Sequence, residues 1–189
     1  MRTIFLIFAA LASVAAQSFE VGAGGGVHRL TSNDLGSAGR TDRYVLNDGW
    51  RFGFRMAFNS WRFMGNETGY GYNRTSIKAG NQSLGGMAIH QGFYNFLLYG
   101  LPDGSPVRPF ATGGVHFSNF VPPGSSASYG QGSTKFGVNY GGGIKVKLNH
   151  MLGIRFDVRQ YLQGKPFDLP GQSGKLRLTE VSAGFYVWM

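Results

Sequence analysis

From Ser18 onward the chain repeats with a period of two residues, and one phase of the repeat is greasy while the other is glycine or charge. Side chains at i and i+2 share a face only on an extended strand, so this rhythm commits the chain to β-structure with two unlike faces. The stretch Trp50 to Ser60 is the clearest: Trp50, Phe52, Phe54, Met56 and Phe58 fall on one phase, Arg51, Gly53, Arg55, Ala57 and Asn59 on the other. Phe19, Val21, Ala23 and Val27 oppose Glu20, Gly22, Gly24, Gly26 and His28, and Tyr70 and Tyr72 oppose Gly65, Glu67, Gly69 and Gly71. Later runs set Phe136 to Leu148 against Gly137 to Lys147, Leu152 to Val158 against Gly153 to Arg159, and Val181 to Met189 against Glu180 to Trp188. Two further segments, about 87–99 and 107–117, leave their faces unassigned, the first because it is apolar on both phases.

That makes eight segments of roughly 9–13 residues, enough to cross a bilayer when tilted. The connections alternate in length: tight near 61–62, 101–105 and 149–150, long near 30–48, 73–85, 119–134 and 164–174. The expectation is an all-β fold, an eight-stranded antiparallel up-and-down transmembrane β-barrel with both termini on the short-turn side. A lipocalin-like soluble barrel would have the same period with the faces reversed, placing the Trp50 to Phe58 row inside. The segment count, the loop rhythm and the strand running to the last residue favour the membrane.

Composition narrows the function classes. With 31 glycines and 28 aromatic residues among 189, helical bundles are disfavoured, and the absence of cysteine excludes disulfides, zinc-thiolate sites and thiol catalysis. Residues 1–16 have the short positive start, the apolar core Ile4 to Leu11 and the small residues before Ala16 of a secretory signal peptide, leaving 17–189 as the barrel domain. Export makes nucleic acid an unsuitable partner despite a net charge of +9. Arg40, Arg43, Arg74, Lys78, Lys135, Lys165 and Lys175 fall in or beside long connections, where lipopolysaccharide phosphates or solvent would take their charge. Scattered histidines without ligand spacing predict no metal, and no cofactor is expected.

A sheet in hydrocarbon must close on itself to satisfy its backbone, and its apolar phase then faces lipid. The other phase points into a lumen barely wide enough for side chains. Nine charged residues fall on that phase, Glu20, Arg51, Arg55, Glu67, Lys145, Arg155, Asp157, Arg159 and Glu180, and predict a lumen charge network. Plain ion pairing that plugs or narrows the barrel is favoured over a conducting path.

The run Val181-Ser182-Ala183-Gly184-Phe185-Tyr186-Val187-Trp188-Met189 resembles a terminal-strand signal read by the barrel-insertion machinery, with Val181, Phe185, Val187 and Met189 on its outward phase. Such signals usually end in Phe; this one ends in Met189. With Pro109-Phe110 and Gly113-Gly114, the chain resembles the small OmpA/OmpX-type bacterial outer-membrane barrels. The resemblance implies residence in the cell outer membrane as a monomer among outer-membrane lipid and lipopolysaccharide. It also implies a role in envelope integrity, loop-mediated interaction or passage of small solutes. His116-Phe117-Ser118-Asn119 is similar to the His-x-Ser-Asn stretch of lipid A deacylases, and His116 and Ser118 share a strand face. No Glu follows within the next strand to orient the histidine, so the expectation is no enzyme activity, with His116 and Ser118 as the catalytic alternative.

Overall fold

A computed structural model describes residues 18–37, 43–125 and 132–189; the expected signal peptide, 1–16, lies outside the described residues, as does Arg40. Ten strands are present among them: β1 (Ser18–Thr31), β2 (Asp34–Gly36), β3 (Tyr44–Leu46), β4 (Gly49–Trp61), β5 (Met64–Ala79), β6 (Gln82–Tyr99), β7 (Val107–Val121), β8 (Ser133–Lys147), β9 (Leu152–Gly164) and β10 (Lys175–Trp188). Eight of these, all but β2 and β3, pair antiparallel around a closed ring. The seam joins β1 to β10, from Glu20 opposite Trp188 to Thr31 opposite Arg177. Closure leaves no wall strand with an open edge, which is the condition for a sheet to sit in hydrocarbon.

The faces follow the sequence phase. Trp50, Phe52, Phe54 and Met56 are exposed on the outer wall at 51%, 44%, 55% and 49%, while Arg51 is buried inside. The soluble, reversed barrel is thereby excluded. The two unassigned segments resolve: Phe93, Asn95, Leu97 and Tyr99 of β6 and Arg108, Phe110, Thr112, His116 and Ser118 of β7 are buried inward, while Tyr94, Phe96, Leu98, Val115 and Phe117 face out. β6 reads apolar on both phases because its inward residues build an aromatic wall inside the lumen, where Ala57, Leu97, Tyr99 and Phe110 cluster.

Several strands run further than the alternation indicates. The stretch 73–85, expected as a long connection, is a continuation of the β5–β6 hairpin, paired out to Ala79 opposite Gln82. Gly80, at φ +56°, supplies the left-handed residue of its tight turn. The first long connection carries β2 and β3, and β3 pairs with the end of β5 from Tyr44 opposite Ala79 to Leu46 opposite Ile77.

The strands outrun the alternation because the two faces invert. Within the greasy belt the outer phase is apolar; above it the outer phase turns polar, with Arg29, Arg74, Lys78 and Arg177 exposed. The inner phase turns apolar at the same height, through Leu30, Ile77, Met87, Ile89, Phe120, Leu176 and Leu178. Leu35 and Leu46 join that cluster from the first long connection, and Phe167 and Leu169 pack on it from the last. The two connections are knitted together: Ser37 N–H donates to Pro170 O at 3.0 Å, and Gln172 Nε2 donates to Leu35 O at 3.1 Å and to Pro166 O at 2.8 Å. The long-loop mouth is thus capped by a dry core of its own.

Candidate functional site

The structure points all nine predicted charged residues into the lumen and sorts them into three groups. The largest lies across β4, β5 and β9. Asp157 accepts from Arg55 Nη1 at 2.9 Å, from Arg155 through Nε at 2.9 Å and Nη2 at 2.8 Å, and from Arg159 Nη2 at 3.1 Å. Glu67 accepts from Arg159 Nη2 at 2.6 Å and from Arg155 Nη1. Three guanidinium groups therefore meet two carboxylates, one positive charge in excess. The fork geometry of Arg suits carboxylates shared in this way. The aromatic wall takes up part of the excess, with the Arg155 guanidinium 4.3 Å from the Phe110 ring centroid and that of Arg159 5.3 Å from Phe93.

Toward the short-turn end, Lys145 pairs with Glu20 and donates to Tyr99 Oη at 2.8 Å. Tyr99 donates to Asn59 Oδ1 at 2.7 Å, and Asn59 Nδ2 donates to Glu20 at 2.9 Å, closing a ring of four side chains. Tyr99, at the very end of β6, faces inward as a buried member of this ring. The chain of contacts continues through Ser18, which donates to Asp103 at 2.9 Å, to Arg108, whose Nη1 lies 3.1 Å from the Asp103 carboxylate. Arg108 and Asp103 were not singled out in the sequence, since Arg108 lies on a segment of unassigned phase and Asp103 in a turn.

Toward the long-loop end, Arg51 pairs with Glu180 and donates to Tyr161 Oη at 2.9 Å. Glycine makes the room: a Cβ on Gly71 would meet the Arg51 guanidinium, and one on Gly143 the Phe110 ring at 2.8 Å. Above this pair come His116, whose Nε2 shares a hydrogen bond with Gln163 at 2.9 Å, and Ser118, whose Oγ accepts from Gln91 Nε2 at 3.1 Å. His116 and Ser118 share a face as expected, but each is bonded elsewhere and both point into the lumen, away from the outer wall where lipid lies. The dry apolar layer follows immediately.

Membership follows from the sequence itself, which matches the outer membrane protein beta-barrel domain over residues 3–187. The chain belongs to this outer-membrane β-barrel family. Solved barrels share its fold at low identity. OprG of Pseudomonas aeruginosa aligns over 93% of this chain and 97% of its own with 13% identity and a TM-score of 0.61. Neisserial surface protein A aligns over 89% and 96% with 19% identity and a TM-score of 0.56. Ail of Yersinia pestis, in complex with the heparin analogue sucrose octasulfate, aligns over 91% and 98% with 12% identity and a TM-score of 0.54. No curated protein matches the chain. As an outer-membrane barrel the protein resides in the bacterial outer membrane, and its greasy belt is the lipid-facing wall.

The residues of the expected insertion signal lie on that wall: Val181, Phe185 and Val187 of the seam strand β10, and Met189 just after it, are outward at 52%, 60%, 36% and 71% exposure. Above the belt Arg29, Arg74, Lys78, Lys175 and Arg177 form an outward basic collar, and none of the five has an ion-pair partner among the described residues. Of the other loop cations, Arg43 pairs with Asp34 at 2.6 Å, Lys135 with Asp168 at 2.7 Å, and Lys165 is buried.

Proposed function

We propose that the protein is a closed, non-conducting envelope barrel whose long-loop end faces outward from the cell and whose basic collar sits among lipopolysaccharide phosphates. One observation carries the reading: an ion cluster with every carboxylate shared and, above it, a dry apolar layer lie in series in the same lumen. An ion crossing such a barrel would have to displace paired guanidinium groups and then shed its water among leucines, and both steps are costly. The collar is a set of cations, unpaired among the described residues, spread over successive registers at the upper margin of the belt, and it has the charge complementarity that anchors barrels in anionic lipid. Ail takes a heparin analogue, a polyanion, and the collar and loops of this chain suit ligands of that class. Val181, Phe185 and Val187, outward on the closing strand, and Met189 just after it are suited to recognition by the insertion machinery.

Reconstitution in planar bilayers tests the closed lumen. The expected trace is silent; discrete steps that change size on Arg55→Ala or Glu67→Ala would establish a pore through the cluster and refute the reading.

A further inference from the structure

The outer wall across β5 to β8 carries a feature that the lumen does not explain. Tyr70, Gly92, Phe117 and Phe136 lie side by side in register, and the next row toward the long-loop end is Tyr72, His90, Asn119 and Thr134. Gly92 carries no side chain and the Phe117 ring leans over it, leaving an apolar groove of about 600 Å³ bounded by Tyr70, Tyr94, Phe117 and Phe136. Phe136, 79% exposed, and Tyr70 stand at either end of that row.

The row above is polar although it faces the same side. Tyr70 Oη is hydrogen-bonded to His90 Nδ1, the Tyr72 ring meets the His90 ring edge-on at 5.4 Å, and Asn119 Nδ2 donates to Thr134 Oγ1 at 2.8 Å. One register step further stands Arg74, exposed, lying over Gly86 and without an ion-pair partner among the described residues. From groove to crest the wall offers hydrocarbon, then hydrogen-bonding groups, then a cation. A second groove of about 420 Å³ on the opposite wall, beside Gly25, has the apolar row Val27, Trp50 and Val181 above it instead.

We infer that the Gly92 groove is a specific lipid site: it holds one acyl chain of lipid A, with the acyl linkage against the His90 and Asn119 row and a phosphate on Arg74. The order of chemistry along the wall is the order of groups along such a molecule, and an unpaired guanidinium at the rim of hydrocarbon is complementary to a phosphate. The inference rests on the long-loop end facing the lipopolysaccharide leaflet.

The test loads folded protein in detergent with bisphosphorylated lipid A and counts bound lipid by native mass spectrometry, with phosphatidylglycerol as a parallel probe. The parent should hold one lipid A that survives detergent exchange. Gly92→Leu, which drives the Phe117 ring into the groove, and Arg74→Gln should each lower occupancy about tenfold or more. Gly25→Leu, in the second groove, should match the parent. Should Gly92→Leu fail the boiled-versus-unboiled gel shift for folding, Arg74→Gln and Tyr70→Phe decide the matter. Lipid A bound by the parent but indifferent to Gly92, Tyr70 and Arg74 would overturn this site alone. Phosphatidylglycerol held as tightly as lipid A would overturn the choice of ligand. A parent that holds no lipid A at all would overturn the lipopolysaccharide reading beneath it.

Discussion

Glu67→Gln is the substitution that most directly probes the lumen cluster. The side chain is fully buried and its two oxygens accept charged hydrogen bonds from Arg155 and Arg159. Neutralising it leaves Arg55, Arg155 and Arg159 facing Asp157 alone. Losing one partner of a buried ionic group costs about 3–5 kcal/mol, and two charge-assisted hydrogen bonds at about 1.5–3 kcal/mol each give a similar figure. Arg55→Gln is the contrast. Arg55 makes one contact to Asp157, its side chain is 13% exposed, and removing it leaves two cations against two carboxylates. The lost hydrogen bond is offset by relief of repulsion, so the expected cost is about 1 kcal/mol. In the double variant two cations face one carboxylate, and the combined loss should fall short of the sum by about 1–2 kcal/mol. Urea unfolding in lipid vesicles measures all three, with Trp50 and Trp61 on the outer wall reporting loss of the lipid environment. Equal shifts for Glu67→Gln and Arg55→Gln, or strictly additive losses, would refute the claim that the cluster holds one cation too many.

Other expectations concern the mouth and the histidine. Leu46→Ala removes a fully buried side chain from the apolar cap and should loosen it by about 2–5 kcal/mol, read as faster protease cleavage in the first long connection while the gel shift of the barrel persists. The Gly36 backbone N–H, with help from Arg43, holds the Asp34 carboxyl below its ordinary range. Its contribution to loop order is therefore fully present above the ordinary carboxylate pKa and is lost as pH falls through the depressed one. Cleavage of the first connection should accelerate there in the parent, and Asp34→Asn should remove that pH dependence. Ser118→Ala should leave the acylation of membrane lipid A unchanged by mass spectrometry, because Ser118 is bonded to Gln91 inside the lumen; a loss of deacylation would reverse that reading.

Much of the architecture is legible in the residues because lipid imposes a stricter pattern than water does. Trp50 to Phe58 could face out and Arg51 and Arg55 in only if the sheet closes, so one segment implies the barrel. The length of the strands is not legible by the same rule, because the rule reverses where the bilayer ends. Val27 and Arg29 are both outward on β1, and His28 and Leu30 both inward, so polarity switches phase within four residues. A search for that switch would have found the upper strand halves and the cap together. The lumen charges were visible one by one, but their grouping depends on register: Glu67 reaches Arg155 and Arg159 across the barrel, 88 and 92 residues away in the chain. Tyr99 was hidden by a different ambiguity, since an aromatic near a strand end suits both an interface and a lumen, and only the side it faces distinguishes them.

The alternation also bears on how such a chain travels. In most wall strands the grease is diluted, one residue in two, by glycine and charge, so such a strand taken alone would not be mistaken for a membrane helix by an export channel that diverts such helices sideways into the first bilayer. The continuous oily surface comes into being only when the ribbon rolls up. The protein can therefore cross one membrane as a thread and become at home in another only as a cylinder.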